Sequence, residues 1–318
     1  PLLPGTAAGA QWRFTVRAAQ FSTHHGSVTA VQTFTVPERV NGEVRALTLS
    51  SPDGIDGTVR LTFEAVLAPW EDYVNHPAFA RLGFQSVLRR NALLLRRLGR
   101  GEKPETWLCA VCDRQADFYA EGAIPGWLRA GYVQVRVAVH TPPDTPWRVR
   151  FALGVGAHED DAFAAAQRAL VLPPESAAAL PGALAAQYGM TDAELEGAMA
   201  HISSLLFPTA APDAAAEQLK RPALWAHGIS GDLPVWCARP EAHVLRQWAL
   251  LRALGIGCDL ALCTSDGGDY LQPTRTKVRG ALAALDLTHC LDAPGGVHLV
   301  PEDAFTDVAA AAAIRPGM

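Results

Sequence analysis

Period-two alternation dominates the first half of this chain. In Thr58–Leu67 (TVRLTFEAVL) apolar side chains fall at Val59, Leu61, Phe63, Ala65 and Leu67. Val133, Val135, Val137 and Val139 repeat the pattern around Gln134 and Arg136. Trp147, Val149, Phe151, Leu153 and Val155 repeat it again, and Trp12, Phe14 and Val16 form a shorter version. Successive side chains of a strand point to opposite faces, so each run presents one apolar face. Turn formers separate the runs: Asn41-Gly42, Pro52-Asp53-Gly54 and Pro142-Pro143-Asp144. Many such strands with polar outer faces predict two antiparallel sheets packed face to face, a β-sandwich over residues 1–157.

The period changes after residue 157. Glu159 to Leu170 is alanine-rich, with Glu159, Asp160 and Asp161 in the first turn, where the helix dipole favours anions, and Pro173-Pro174 ends it. Thr191-Asp192-Ala193-Glu194 is a capping-box pattern that opens a helix running to about Phe207. Residues 208–223 read as an irregular stretch, so 158–223 is expected as a helical linker. Residues 224–318 read as a small α/β connector. Leu233–Ala238 is a strand. Glu241–Leu254 is a helix with Val244, Trp248 and Leu251 on one face, closed by Gly255. Asp259–Thr264 is a second strand, a helix follows near Lys277–Leu285, and Gly296–Val300 is a third strand. That spacing predicts right-handed parallel crossovers. The expected fold class is β-rich α+β: a large antiparallel β-sandwich, a helical linker and a small parallel α/β subdomain.

Composition narrows the function. A chain of 318 residues has room for two domains, and with 49% hydrophobic and 19% charged residues it is no disordered tail. The net charge is −5, and no basic run exceeds Arg96-Arg97 in length, so no nucleic-acid partner is expected. No apolar run reaches the roughly 20 residues that span a bilayer. The opening PLLPGTAAGAQWRF lacks the basic start and apolar core of a signal peptide, and with Pro1 in first place the chain is expected to be a piece of a longer product. Six cysteines, several in apolar strand patterns, fit buried thiols in a reducing compartment, so a cytoplasmic location is expected.

Four segments, in order, carry a family resemblance. Ala65-Val66-Leu67-Ala68-Pro69 followed by Asn75-His76-Pro77-Ala78-Phe79 looks like "VVLAP … HPAF". Ile202–Pro208 (ISSLLFP) is similar to "ASRLLYP". Leu224–Val235 (LWAHGISGDLPV) looks like the opening of a connector, and Leu291–Val297 (LDAPGGV) like "DRPGGV". Together they resemble the cyclic β-1,2-glucan synthases and the related glycoside hydrolase family 94 phosphorylases over residues 12–310. The resemblance implies a galactose-mutarotase-like super-sandwich, and a parent protein that transfers or phosphorolyses glycosyl units of β-glucans, for the synthases at the inner membrane. It implies two partners, a β-glucan oligosaccharide and a neighbouring (α/α)₆ barrel. In the family that barrel holds the catalytic carboxylates in motifs such as "DWNDGM", and nothing in residues 1–318 matches them. No catalytic residue is therefore carried over, and no cofactor or metal is implied. Two departures stand out: Asp113–Tyr132 is shorter than the family's equivalent, and Glu217–Ala223 replaces "RNRLGQS". A stand-alone carbohydrate-binding or scaffold protein is the alternative reading.

Several residues could carry chemistry. Trp70 and Tyr73, beside Glu71 and Asp72 in a loop at the sandwich edge, could stack on a sugar ring while the carboxylates take hydroxyls. His76 follows in the same loop. His227 and Asp232 flank Ser230 in a glycine-rich turn. Trp70, Tyr73, His76, His227 and Asp232 are the candidate carbohydrate-binding residues. A Ser230 esterase is a weaker reading, since G-I-S-G-D precedes a strand whereas a nucleophile elbow needs G-x-S-x-G after one. Cys109 and Cys112 form a C-x-x-C without a second pair, and strand alternation points them to opposite faces. Asp266-Gly267-Gly268-Asp269 follows a strand of the connector and reads as a capped loop.

Overall fold

Inward-facing apolar residues zip the first half of the chain into two antiparallel sheets of unequal size. The computed structural model describes residues 10–68, 84–99, 101, 104–120, 127–128, 131–207, 221–266 and 269–312. The larger sheet contains β1 (Gln11–Phe14), β2 (Ala19–His25), β3 (Val28–Thr35), β4 (Gly42–Ser50), β6 (Phe84–Arg89), β7 (Ala92–Arg97), β8 (Thr106–Cys112), β10 (Trp127–Leu128) and β12 (Trp147–Gly156), in the order β1-β2-β3-β4-β12-β8-β7-β6-β10. The smaller sheet is β5-β11-β9, from β5 (Ile55–Ala65), β11 (Gly131–Thr141) and β9 (Asp117–Ala120). The expected antiparallel sandwich is therefore the fold of this region.

Register explains the core. Pairing of Trp147 with Leu49, Val149 with Leu47 and Phe151 with Arg45 puts these residues on the inner face of the large sheet. Val133, Val135, Val137 and Val139 of β11 meet that face and are buried. Each buried valine contributes about 1.5–3 kcal/mol by removal from water, an upper bound because denatured chains already bury some surface.

The outer face of the large sheet is covered by helix α1 (Glu159–Val171). Val44, Ala92, Leu94, Trp107, Cys109, Val111 and Ala152 pack there with Ala162, Ala166 and Ala169. The approach is close because Gly154 of β12 has no side chain. A Cβ at that position would lie 2.2 Å from the Ala166 nitrogen and 2.6 Å from the Ala162 oxygen. Alternation separates the C-x-x-C thiols as expected: Cys109 lies in this outer core and Cys112 in the inner one. Burial pushes the Cys109 thiol up to about 12 and that of Cys112 to about 11, so both behave as small hydrophobes.

The chain divides into two compact units, Pro1–Trp12 with Arg17–Ala178, and Arg13–Val16 with Ala179–Met318. Of the 158–223 segment, α1 falls in the first unit, while α2 (Leu180–Gln187) and α3 (Asp192–Leu206) fall in the second. The capping box of α3 forms: Glu194 N–H donates to Thr191 Oγ1 (3.3 Å), and Thr191 N–H donates to Glu194 Oε2 (2.9 Å). Glu194 also pairs with Arg246, and the two interactions hold its carboxyl below the ordinary glutamate range.

Arg246 belongs to α4 (Ala242–Ala253), which joins β13 (Val235–Ala238) to β14 (Asp259–Thr264). Helix α5 (Pro273–Ala284) then leads to β15 (Val297–Pro301), and α6 (Glu302–Ala312) follows. The sheet order is β13-β14-β15, all parallel. Leu260 and Leu262 of β14 face a core built with α3, α4 and α5, while Ala261 faces Leu224, Ile229, Val300, Val308 and Ala311. A strand covered on both faces loses the period-two signature and reads as a continuous apolar run. No helix among the described residues is long and apolar enough to cross a membrane.

Replacing Gly154 with alanine is expected to cost about 2–4 kcal/mol, because helix and strand backbones must separate. Gly280, exposed in α5, is the control, since a Cβ added there would meet nothing within 4 Å. Gly280→Ala is expected to stabilise by about 0.5–1 kcal/mol. Urea unfolding of both variants checks the pair.

Candidate functional site

Three strands cannot cover nine. Beyond β5 the smaller sheet has no further strand among the described residues, and the inner faces of β2, β3 and β4 stand partly open. The result is a cleft of about 690 Å³ between these strands and β5. That volume is in the range of about 300–1,000 Å³ typical of ligand sites. Its floor follows the same register as the core: Phe21 pairs with Gln32, Gln32 with Leu47, and Phe34 with Arg45. These residues are half-buried, whereas Ala30 and Leu49, deeper on the same face, are buried.

The polar groups of the cleft are held in place. Arg45 Nε donates to Glu43 Oε1 at 2.5 Å, which neutralises the guanidinium locally. The same guanidinium lies 5.2 Å from the centre of the Phe34 ring and 5.5 Å from that of Phe63, so it bridges the two sheets through cation–π contacts. Phe21 meets Phe34 edge to face, with centroids 5.4 Å apart and planes at 81°. At the rim, Gln134 Oε1 accepts from Arg136 Nε and Nη2 at 3.0 and 2.8 Å.

Of the candidate carbohydrate-binding residues read from sequence, His227 and Asp232 do not line this cleft. Trp70, Tyr73 and His76 fall outside the described residues. His227 is half-buried and Asp232 exposed, in a turn closed by local hydrogen bonds. Asp232 N–H donates to Ser230 Oγ (3.1 Å), and Trp225 Nε1 donates to the Ser230 carbonyl (3.1 Å). Gly228 and Gly231 have φ of 74° and 82°, the left-handed region glycine enters without strain. This geometry makes Ser230 a turn residue. Among the described residues no group of three His, Cys, Asp or Glu side chains is placed to hold a metal ion.

Sequence reasoning missed a buried polar pair beneath that turn. Asp259 and His298 are 1% and 0% exposed. His298 Nε2 lies 3.2 Å from Asp259 Oδ1, which also accepts the Gly295 N–H at 2.7 Å. The other ring nitrogen, Nδ1, is buried without a hydrogen-bond partner among the described residues. It faces Gly228, where an added Cβ would come within 3.8 Å. The turn Leu224–Val235 and the loop Leu291–Val297 thus converge on one buried carboxylate–imidazole pair. The available signal was an ionisable residue in each of two otherwise largely apolar strands, Asp259 in DLALCT and His298 in VHLVP.

Asp266 caps α5. Its two carboxylate oxygens accept the N–H groups of Thr274 and Arg275, each at 3.0 Å. Desolvation pushes its carboxyl up, but the hydrogen bonds from Thr274 and Arg275 outweigh it and hold the value below the ordinary 3.8. Gly267 and Gly268 lie outside the described residues.

No family model matches this chain, and no curated protein matches it. Solved structures resemble it weakly. A bacterial glucoamylase complexed with acarbose gives a TM-score of 0.38 at 8% identity, covering 60% of this chain and 31% of its own. A protein assigned as a kojibiose phosphorylase from the human microbiome gives 0.32 at 7%, covering 57% and 22%. A galactose mutarotase related enzyme from Lactobacillus acidophilus gives 0.28 at 10%, covering 46% and 71%. The chain spans less than a third of the length of the first two.

Asp259→Leu strands the Gly295 N–H and the His298 ring in the interior, and is expected to cost about 2–4 kcal/mol in chemical denaturation. Asp266 gives a pH test. Its folded value is depressed, so its stabilising contribution is present above the unfolded value and lost as pH falls through the folded one. The stability gap between the native chain and Asp266→Asn is therefore expected at neutral pH and should shrink below the ordinary aspartate value. A gap independent of pH would refute the cap's ionic character.

Proposed function

We propose that this chain is the non-catalytic sandwich and connector of a β-glucan-processing protein of the cyclic glucan synthase or family 94 phosphorylase type. One observation carries the reading. Where they are described, the family-like phrases sit where elements end or turn. Ala65 ends β5, Ile202–Phe207 closes α3, and Leu224–Val235 and Leu291–Val297 converge on Asp259 and His298. Phrases at such positions preserve the angles between elements, which is what a bracing segment must hold.

In this reading the chemistry belongs to a neighbouring (α/α)₆ barrel. There, paired carboxylates act on an oxocarbenium-like transition state, one protonating the leaving oxygen as the anomeric carbon is attacked. The sandwich and connector brace that barrel and help to shape the glucan cleft, with a β-glucan oligosaccharide as the shared ligand. No residue among 1–318 is assigned a catalytic role. The coding sequence on either side decides the matter. An in-frame (α/α)₆ barrel with paired carboxylates is expected, and a continuous frame encoding some other domain would overturn the assignment.

A further inference from the structure

Trp225 ends a short helical stretch, residues 221–225, and stands 56% exposed. A lone surface tryptophan signals little, but this one is held in orientation. Its indole Nε1 donates to the Ser230 carbonyl (3.1 Å), so the ring's one polar group is satisfied within the turn and the area it offers to solvent is mainly carbon. The turn that carries it is anchored from below. Leu224 and Ile229, 4% and 0% exposed, are sunk in the core with Ala261 and Val300. The N–H groups of His227 and Ile229 both donate to the Leu224 carbonyl, at 3.0 and 3.1 Å. Gly228 and Gly231 take the positive φ values that let the chain close this tightly. Polar side chains share the turn with the ring: Ser230 and Asp232 are exposed, and His227 is half-buried. The bond from Asp232 N–H to Ser230 Oγ (3.1 Å) ties the residue that carries the carboxylate to the one that holds the indole.

We propose that this turn is a saccharide-binding platform, with the Trp225 ring stacked on one glucosyl residue of a β-glucan oligosaccharide and Asp232 accepting that residue's hydroxyls. In a β-linked glucosyl ring the hydroxyls are equatorial, and the axial C–H groups give each face an apolar patch. Such a face covers indole carbons while the hydroxyls project sideways. A carboxylate accepts two hydroxyl hydrogens at once, and hydrogen bonds to a charged acceptor are the stronger kind. The Ser230 hydroxyl and the His227 ring add further polar contacts at the rim. A free indole loses rotamer freedom when a ligand orders it, whereas this one is ordered already by folding. A packed protein surface would cover the ring as well, but it would strip water from the exposed Asp232 carboxylate without returning its hydrogen bonds. The choice of a β-glucan rests on the functional reading above; the platform itself rests on the geometry of the turn.

Titration of the 318-residue chain with a β-1,2-linked gluco-oligosaccharide, followed by NMR of the indole signals, tests this. The chain holds eight tryptophans, and Trp225→Phe assigns the Trp225 signals by their loss. Those signals should shift as the oligosaccharide is added. In calorimetric titrations Trp225→Ala should weaken binding about tenfold or more, and Trp225→Phe, which keeps a ring, should weaken it less. Asp232→Asn should weaken it severalfold. That variant keeps the turn, because the bond from residue 232 to Ser230 Oγ comes from the backbone N–H, so it decides the matter even if Trp225→Ala does not fold. Trp225 signals that stay still at the solubility limit of the oligosaccharide would overturn the proposal. So would binding left at full strength by Trp225→Ala or by Asp232→Asn. Binding at Trp225 together with a flanking sequence that encodes no (α/α)₆ barrel would uphold this inference and sink the functional reading above. A barrel in the flank with no shift at Trp225 would do the reverse.

Discussion

Two sheets of unequal size share one apolar interior, and most features of the first unit follow from that mismatch. The hydrophobic effect favours covering the inner face of the larger sheet, but three strands reach only part of it. Where β11 lies against β12 and its neighbours, the residues are buried to a few per cent. Where β5 is the last described strand of the smaller sheet, the same register of side chains is half-covered, and Arg45 fills part of the gap between Phe34 and Phe63. The outer face needs its own cover. Helix α1 supplies it, with alanines on the helix and a glycine on the strand to bring the two backbones together.

The second unit solves a different problem. Its central strand is apolar on both sides, so both faces need cover, and α3, α4 and α5 share one face while α6 and the Leu224–Ile229 segment take the other. A polar pair in such an interior is tolerable only when hydrogen-bonded. Asp259 meets that condition by accepting from a loop amide and facing an imidazole, and so turns a desolvation cost into a restraint on the loop before β15. Trp248 follows the same rule, its indole N–H donating to the Cys258 carbonyl (3.2 Å) just before β14.

How much was legible in the sequence differs between elements for physical reasons. β5 and β11 each have one wet and one dry face, or nearly so, as does the first half of β12 before α1 covers it, and their alternation gave them away. β14 was expected at Asp259–Thr264, and those are its bounds. β7 (ALLLRR) and β8 (TWLCAVC) are buried on both faces, because α1 covers what the sandwich does not, and so carry no period. Helix α5 begins at Pro273, four residues before the expected Lys277, since its start is fixed by Pro273 and the Asp266 cap. Helix α2 went unread because its alanines and leucines give little contrast between faces, while α6 went unread although its apolar residues gather on one face. The cleft could not be read at all. It depends on how many strands the smaller sheet gathers, a sum of long-range pairings that no local window contains. The aromatic loop at Trp70, Tyr73 and His76 lies outside the described residues, and the candidates His227 and Asp232 belong to a different unit from the cleft.

Asp266 has a consequence for the connector as a receptor. The start of a helix following a parallel strand is where such folds commonly hold phosphate, because free N–H groups and the helix dipole converge there. Here two of those N–H groups are already taken by a carboxylate eight and nine residues away along the same chain. A tethered anion competes at an effective concentration set by its short loop, on the order of millimolar or above. A free nucleotide phosphate would have to displace it and shed its own hydration as well. This unit thus has strand–helix alternation with the anion seat at the start of α5 filled from within by Asp266.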